Sequence, residues 1–145
     1  MEVRLPKDGK VVVFHDRKPD RTSTGAGPVG THTLSEMKSL DVGSWYASQF
    51  KGERVLTLEE VFSELPSDFL VYVEVKARGP DALPLAAKTV KVIRKFRRWE
   101  STLVASFNPV AMVFVRVVEP RIFRRIYILQ QPPAAIKGPL VQPSG

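Results

Sequence analysis

The sequence predicts an α/β fold built on a parallel sheet, and three observations carry that prediction. Apolar runs of strand length alternate along the chain with segments whose apolar residues recur at helical spacing. The first run, residues 11–14, is continuously apolar, as in strands covered on both faces. Helix-opening signals stand between the runs, at Thr33 with Glu36, at Thr57 with Glu60 and at Asn108 with Pro109. The 145 residues suffice for one domain with a sizeable core. A complete eight-stranded α/β barrel takes about 250 residues, so a chain of this length that builds such a barrel is expected to hold only part of it.

Residues 2–5 read as the end of a strand, Lys7-Asp8-Gly9-Lys10 as a tight turn and residues 11–14 as a second strand. Residues 17–54 are expected to form a loop-rich insertion. Glycine, proline and hydroxyl residues dominate its first half, and Thr33 with Glu36 caps a short helix inside it. Its last part carries Trp45, Tyr46 and Phe50 without periodicity, an irregular excursion with its own small aromatic cluster. A helix then opens at Thr57, runs through Val61, Phe62 and Leu65, and is closed by Pro66. Residues 69–75 form a strand ending on Glu74 and Lys76. From 81 to 99 the spacing places Leu85, Val92, Ile93 and Phe96 on one helix face and Lys88, Lys91, Lys95 and Arg98 on another, the pattern of a helix that covers a sheet. A strand at 102–105, a helix from Asn108-Pro109 and a last strand within 122–129 complete a domain spanning 1–129. Residues 130–145 are proline-rich and aperiodic, and are expected to be a disordered tail.

With 22 basic and 15 acidic residues the formal charge is +7, which attracts anions without selecting among phosphodiesters, nucleic acid and anionic membranes. The chain has no cysteine, which removes disulfide and thiolate chemistry. No apolar run approaches the ~20 residues of a membrane-spanning helix, and the start Met1-Glu2-Val3-Arg4 is not a secretory signal. The expected location is the cytoplasm. The basic helix face and Arg121, Arg124 and Arg125 are expected to be a solvated outer surface, with no specific nucleic-acid partner.

Chemistry concentrates where the strands end. In an α/β barrel the catalytic groups cluster at the carboxyl ends of the strands, and both His15-Asp16 and Glu74-Lys76 are read at such ends. Glu2, on the preceding strand, is placed to converge with Glu74 on one hard cation through oxygen ligands, a donor set that suits Ca2+ or Mg2+. A cation and a lysine together bind a phosphodiester, and an imidazole delivers the proton its leaving alcohol needs near neutral pH. Asp16 is expected to support the site, orienting His15 or capping the loop, and not to bind metal. Asp20, Arg21 and the glycines after them form a folded loop, because no helix opens directly behind them as a phosphate-binding loop requires.

In order, the chain carries Glu2, Lys7-Asp8-Gly9, the strand ending in His15-Asp16, the loop Asp20 to Gly27, Ser44-Trp45-Tyr46, Thr57 to Glu60, Glu74 to Lys76 and Ser106-Phe107-Asn108-Pro109. This series resembles the glycerophosphodiester phosphodiesterase family over roughly residues 2–125. The resemblance implies a partial TIM (β/α)8-type barrel lacking the first strand and the last strands. It implies that His15 is one of two catalytic histidines, that Glu2 and Glu74 are metal ligands and that Lys76 contacts the substrate phosphate. The implied reaction is metal-dependent hydrolysis of a glycerophosphodiester to sn-glycerol 3-phosphate and an alcohol, impaired in this chain alone. The family's other histidine, the arginine beside it and its first acidic ligand have no counterpart, since all would precede Met1, and His32 lies beyond the glycine-rich loop and does not replace that histidine. The alternative is a non-catalytic remnant or an anion-binding half-barrel. An open barrel would expose two strand edges, a route to self-association.

Overall fold

A computed structural model describes residues 1–76 and 79–127. The sheet has five strands in the order β2-β1-β3-β4-β5: β1 (Glu2–Arg4), β2 (Val12–Val13), β3 (Val71–Val75), β4 (Thr102–Ser106) and β5 (Phe123–Ile126). β1, β3, β4 and β5 are parallel neighbours, with Glu2 opposite Glu74, Glu74 opposite Ala105 and Ala105 opposite Arg125. Helices α3 (Ala82–Lys95) and α4 (Pro109–Val118) cover one face of this parallel run, which is the wall of a partial barrel. Their Leu85, Val90, Ile93 and Met112 pack on Val3, Val73, Val75 and Val104 in the main core. Each such side chain taken fully out of water contributes about 1.5–3 kcal/mol.

β2 departs from the expected architecture. It pairs antiparallel with β1, Val3 opposite Val13, after a turn in which Gly9 N–H donates to Pro6 O at 2.9 Å. Gly9 stands at φ +77°, a conformation that glycine adopts without strain. His15 therefore follows a returning hairpin strand and does not sit at the carboxyl end of a parallel one. The apolar run is buried all the same, in a second cluster of Val12, Phe14, Val29, Met37 and Val55. The outer side of β2 is covered, since Val13 N–H donates to Leu56 O and Leu58 N–H to Val11 O. Of the two open edges expected, only that of β5 remains among the described residues.

Both capping boxes are formed as expected, Thr33 with Glu36 on α1 (Leu34–Ser39) and Thr57 with Glu60 on α2 (Leu58–Glu64). Asn108 caps α4 through Val110 N–H and Ala111 N–H, with Pro109 in the first turn. The insertion holds α1 and three short 3-10 turns. Its Trp45-Tyr46-Phe50 cluster is present, with ring centroids 5.8 and 5.7 Å apart. Gly43 has no room for a side chain, since a Cβ there would lie 1.9 Å from Phe50 O.

Arg98 does not share the exposed lysine face. The Phe96 end of α3 turns through Arg97 at φ 54°, with Arg98 N–H donating to Ile93 O and Arg97 N–H to Arg94 O, a left-handed helix stop. That turn takes Arg98 out of the helical period and buries it to 1% exposure. Its guanidinium donates to Leu65 O, Pro66 O and Phe69 O and lies over the Phe62 ring. The tail expected at 130–145, and residues 128–129 of the last strand, lie outside the described residues. No helix among them is long and apolar enough to cross a membrane.

Candidate active site

Pairing of β1 with β3 brings the acidic pair together. Glu2 and Glu74 are direct partners in register, and side chains alternate along a strand, so Glu74 and Lys76 project from the face that α3 and α4 leave open. Lys76 Nζ sits between the carboxylates, 3.1 Å from Glu2 Oε1 and 3.4 Å from Glu74 Oε1. Glu74 is buried, and its Oε1 makes no hydrogen bond. A buried carboxylate oxygen that meets only an ammonium at ion-pair distance is a place where a hard cation fits. Among the described residues no group of three or more His, Asp or Glu side chains is assembled that could hold a metal ion, and Glu2 with Glu74 is a pair.

The hairpin delivers the histidine to the same place from the side. His15 Nε2 lies 3.4 Å from Glu2 Oε2, while Nδ1 lies 2.5 Å from Asp16 Oδ1. Arg21 Nε donates to the other Asp16 oxygen at 2.8 Å. Hydrogen bonds from Arg21, then from His15, hold the Asp16 carboxyl at about 2, below its ordinary 3.8. An ionised Asp16 fixes the ring with Nδ1–H toward itself and Nε2 toward Glu2. All four residues singled out by the sequence, His15, Glu2, Glu74 and Lys76, thus converge on one end of β1 and β3.

Arg4 was missed by the sequence reading. It lies on β1 two residues after Glu2, and its guanidinium donates to His15 O at 3.0 and 2.7 Å and to Lys76 O at 3.2 Å. One side chain therefore ties the hairpin that carries the imidazole to the strand that carries the ammonium. Burial pulls the Arg4 guanidinium below its ordinary value, opposed by Asp16 and Glu2. The available signal was spacing: Arg4 shares a strand face with Glu2. His32 stands apart, its Nδ1 on Pro28 O at 2.9 Å.

The strand-end segment at Ser106 is also formed. Ser106 Oγ donates to Val75 O and accepts from Asn108 N–H, locking β4 to β3 where α4 begins. Of the three arginines expected on the outer surface, Arg121 pairs with Glu119 and lies over Trp99, and Arg124 donates to Pro120 O and Ile122 O on the helix side of the sheet. Arg125 is the exception, because it alternates to the open face.

Paired carboxylates, an ammonium and a carboxylate-held imidazole thus stand together on the open face of a parallel α/β wall, where β1 meets the carboxyl end of β3. The comparisons with known proteins agree. Residues 1–140 match the Glycerophosphoryl diester phosphodiesterase family, and the chain belongs to that family. It is 39% identical over 124 residues to a glycerophosphodiester phosphodiesterase of Caldanaerobacter subterraneus subsp. tengcongensis, covering 84% of this chain and 51% of the relative. Against the Bacillus subtilis glycerophosphodiester phosphodiesterase it is 33% identical over 137 residues, 84% of this chain and 46% of the relative. A phosphodiesterase of Oleispira antarctica, solved in complex with the product sn-glycerol-3-phosphate, superposes with a TM-score of 0.77 at 31% identity, over 85% of this chain and 51% of that one. The glycerophosphodiester phosphodiesterase of Agrobacterium tumefaciens gives 0.76 at 31% identity, over 86% and 51%. The chain spans about half the length of the relatives it matches, as expected of a partial barrel.

Proposed function

We propose that the site acts on glycerophosphodiesters, hydrolysing them to sn-glycerol 3-phosphate and an alcohol. The observation that carries this reading is Lys76 Nζ held between Glu2 and Glu74 with His15 Nε2 beside Glu2. Lys76 binds a phosphoryl oxygen. Glu2 and Glu74 would hold a divalent cation, Ca2+ or Mg2+, which when bound adds positive charge to the phosphoryl oxygens. As water bonds to phosphorus and the bond to the alcohol breaks, His15 gives its Nε2 proton to the departing oxygen. Asp16 keeps the ring in place, and Arg4 sets the distance between His15 and Lys76.

The proton of the attacking water needs a separate acceptor. The second reading is phosphodiester binding without turnover. Release of sn-glycerol 3-phosphate by residues 1–145, followed with either metal present, separates the two. Turnover that His15→Ala abolishes supports hydrolysis, and turnover retained in that variant removes His15 from the mechanism. Binding that depends on Lys76 without turnover supports the second reading. The cytoplasmic location belongs to the same proposal and is tested by fractionating the native host.

A further inference from the structure

The open face of the sheet continues the site sideways. In register, Glu2, Glu74, Ala105 and Arg125 form one row across β1, β3, β4 and β5. Two residues further along the same face, Lys76 is followed by Phe107 and Tyr127, whose rings stack at 4.6 Å. The Tyr72 and Tyr127 hydroxyls meet across β4, above Ala105. An aromatic floor therefore starts at the phosphate-binding lysine and ends at Arg125, whose guanidinium lies 5.9 Å from the Tyr127 centroid. Neighbouring strands are about 4.8 Å apart, so β3 and β5 stand roughly 10 Å from each other. Lys76 lies two residues beyond the Arg125 row, so their backbones are roughly 12 Å apart, and the long side chains of both shorten the gap over the rings between them.

Three aromatic rings alone would suit a quaternary ammonium. Arg125 changes the sign of that preference by placing a fixed positive charge beside one of them, Tyr127. Glu119, the acid nearest in sequence, is taken by Arg94 and Arg121 and lies with them away from this face. Arg125 is exposed and offers planar donors suited to hydroxyl, carboxylate or phosphate oxygens. We propose that Arg125 is a specificity residue that selects glycerophosphodiesters whose alcohol is a polyol or an anion over those whose alcohol is an ammonium cation. This rests on the reading that the phosphodiester phosphate binds at Lys76.

The test is calorimetric titration of residues 1–145 and of its Arg125→Gln and Lys76→Met variants with sn-glycerol 3-phosphate, glycerophosphoinositol and glycerophosphocholine. The expected result is an affinity for glycerophosphoinositol at least about fivefold above that for glycerophosphocholine, a difference equivalent to one charge-assisted hydrogen bond at an exposed site. Arg125→Gln should erase the difference and leave sn-glycerol 3-phosphate unchanged, while Lys76→Met weakens all three. Equal affinities in the parent chain, or an Arg125→Gln variant that weakens all three ligands alike, overturn the selectivity while the Lys76 reading stands. Binding insensitive to Lys76→Met, or no binding by the parent chain, removes both. Arg125 is exposed and lies on the edge strand, so its replacement by Gln should keep the fold, and a matching circular dichroism spectrum confirms that any change is local.

Discussion

Replacing Arg98 by Met should cost this domain about 3–4 kcal/mol. The side chain is 1% exposed, so its stem is part of the packing, and Met preserves most of that volume. What Met removes is the set of three bonds from the guanidinium to Phe69 O at 3.1 Å and to Leu65 O and Pro66 O at 2.5 Å each. Bonds from a charged donor contribute about 1.5–3 kcal/mol each when the acceptor is otherwise left dry. Residues 66–70 are exposed, so water can reach part of the turn, and about 1 kcal/mol per bond is the appropriate figure here. The contact of the guanidinium with the Phe62 ring at 5.0 Å adds about 0.5–1 kcal/mol.

Against this stands the cost of holding a cation out of water, which can make a buried charge no better than a hydrophobe of the same size. The outcome decides between the two. Urea unfolding followed by far-ultraviolet circular dichroism, with a slope of about 1–3 kcal/mol per molar, should show the midpoint falling by roughly 1–4 M. A shift below about 0.3 M would mean that desolvation cancels the three bonds. Arg98→Lys, which keeps the charge but not the fork, should fall between the parent and Arg98→Met.

Other expectations concern charge, positioning and the open edge. Arg121, then Arg94, holds the Glu119 carboxyl at about 2, below its ordinary 4.5. A carboxylate lowered on folding contributes stability that is complete above its unfolded value and is lost as pH falls through the folded one. The melting temperature should therefore drop between about pH 4.5 and 2, with Asp16 contributing in the same window, and Glu119→Gln should flatten this acid limb; an unchanged limb would refute the assignment. Arg4→Met should weaken sn-glycerol 3-phosphate binding about tenfold by freeing His15 and Lys76 from each other, and a calorimetric change under twofold would show that backbone packing alone sets their spacing. Val113, Val117, Phe123 and Ile126 are exposed around α4 and the open β5 edge, so sedimentation should show concentration-dependent association that Val117→Lys reduces; sedimentation as a monomer at all concentrations would count against it.

Much of the fold was legible because local signals and tertiary structure agree. Both capping boxes, the Asn108-Pro109 helix start and the alternation of strand and helix need only nearest neighbours to be read. The four site residues were legible as types at strand ends, and the register of β1 against β3 then brings them together. The hairpin was legible too, since a tight turn at Lys7-Asp8-Gly9-Lys10 joins antiparallel strands, yet the barrel expectation outweighed it. Arg98 was not legible from periodicity. The left-handed Arg97 ends the 100° step one residue earlier, after which helical spacing places nothing correctly. Arg4 and Arg125 depend on which face of the sheet is open, a property of the assembled wall that one strand's sequence does not contain.

The same topology separates what is fixed from what can vary. Glu2 and Glu74 stand on β1 and β3, with Lys76 just past the end of β3, and both strands have neighbours on both sides and the core of α3 beneath them. A displacement there would break two ladders of backbone bonds, so the acidic pair and its lysine are held rigidly. Among the described residues β5 has one partner and an open edge, and its side chains Phe123 and Ile126 are exposed. Substitutions on that strand disturb little packing. On the proposed reading, phosphate binding is tied to the interior of the wall, while recognition of the alcohol falls to the exposed Arg125, whose exchange disturbs little packing. Exchanging Arg125 for an acidic residue should then move the preference toward cationic alcohols without loss of the phosphate site.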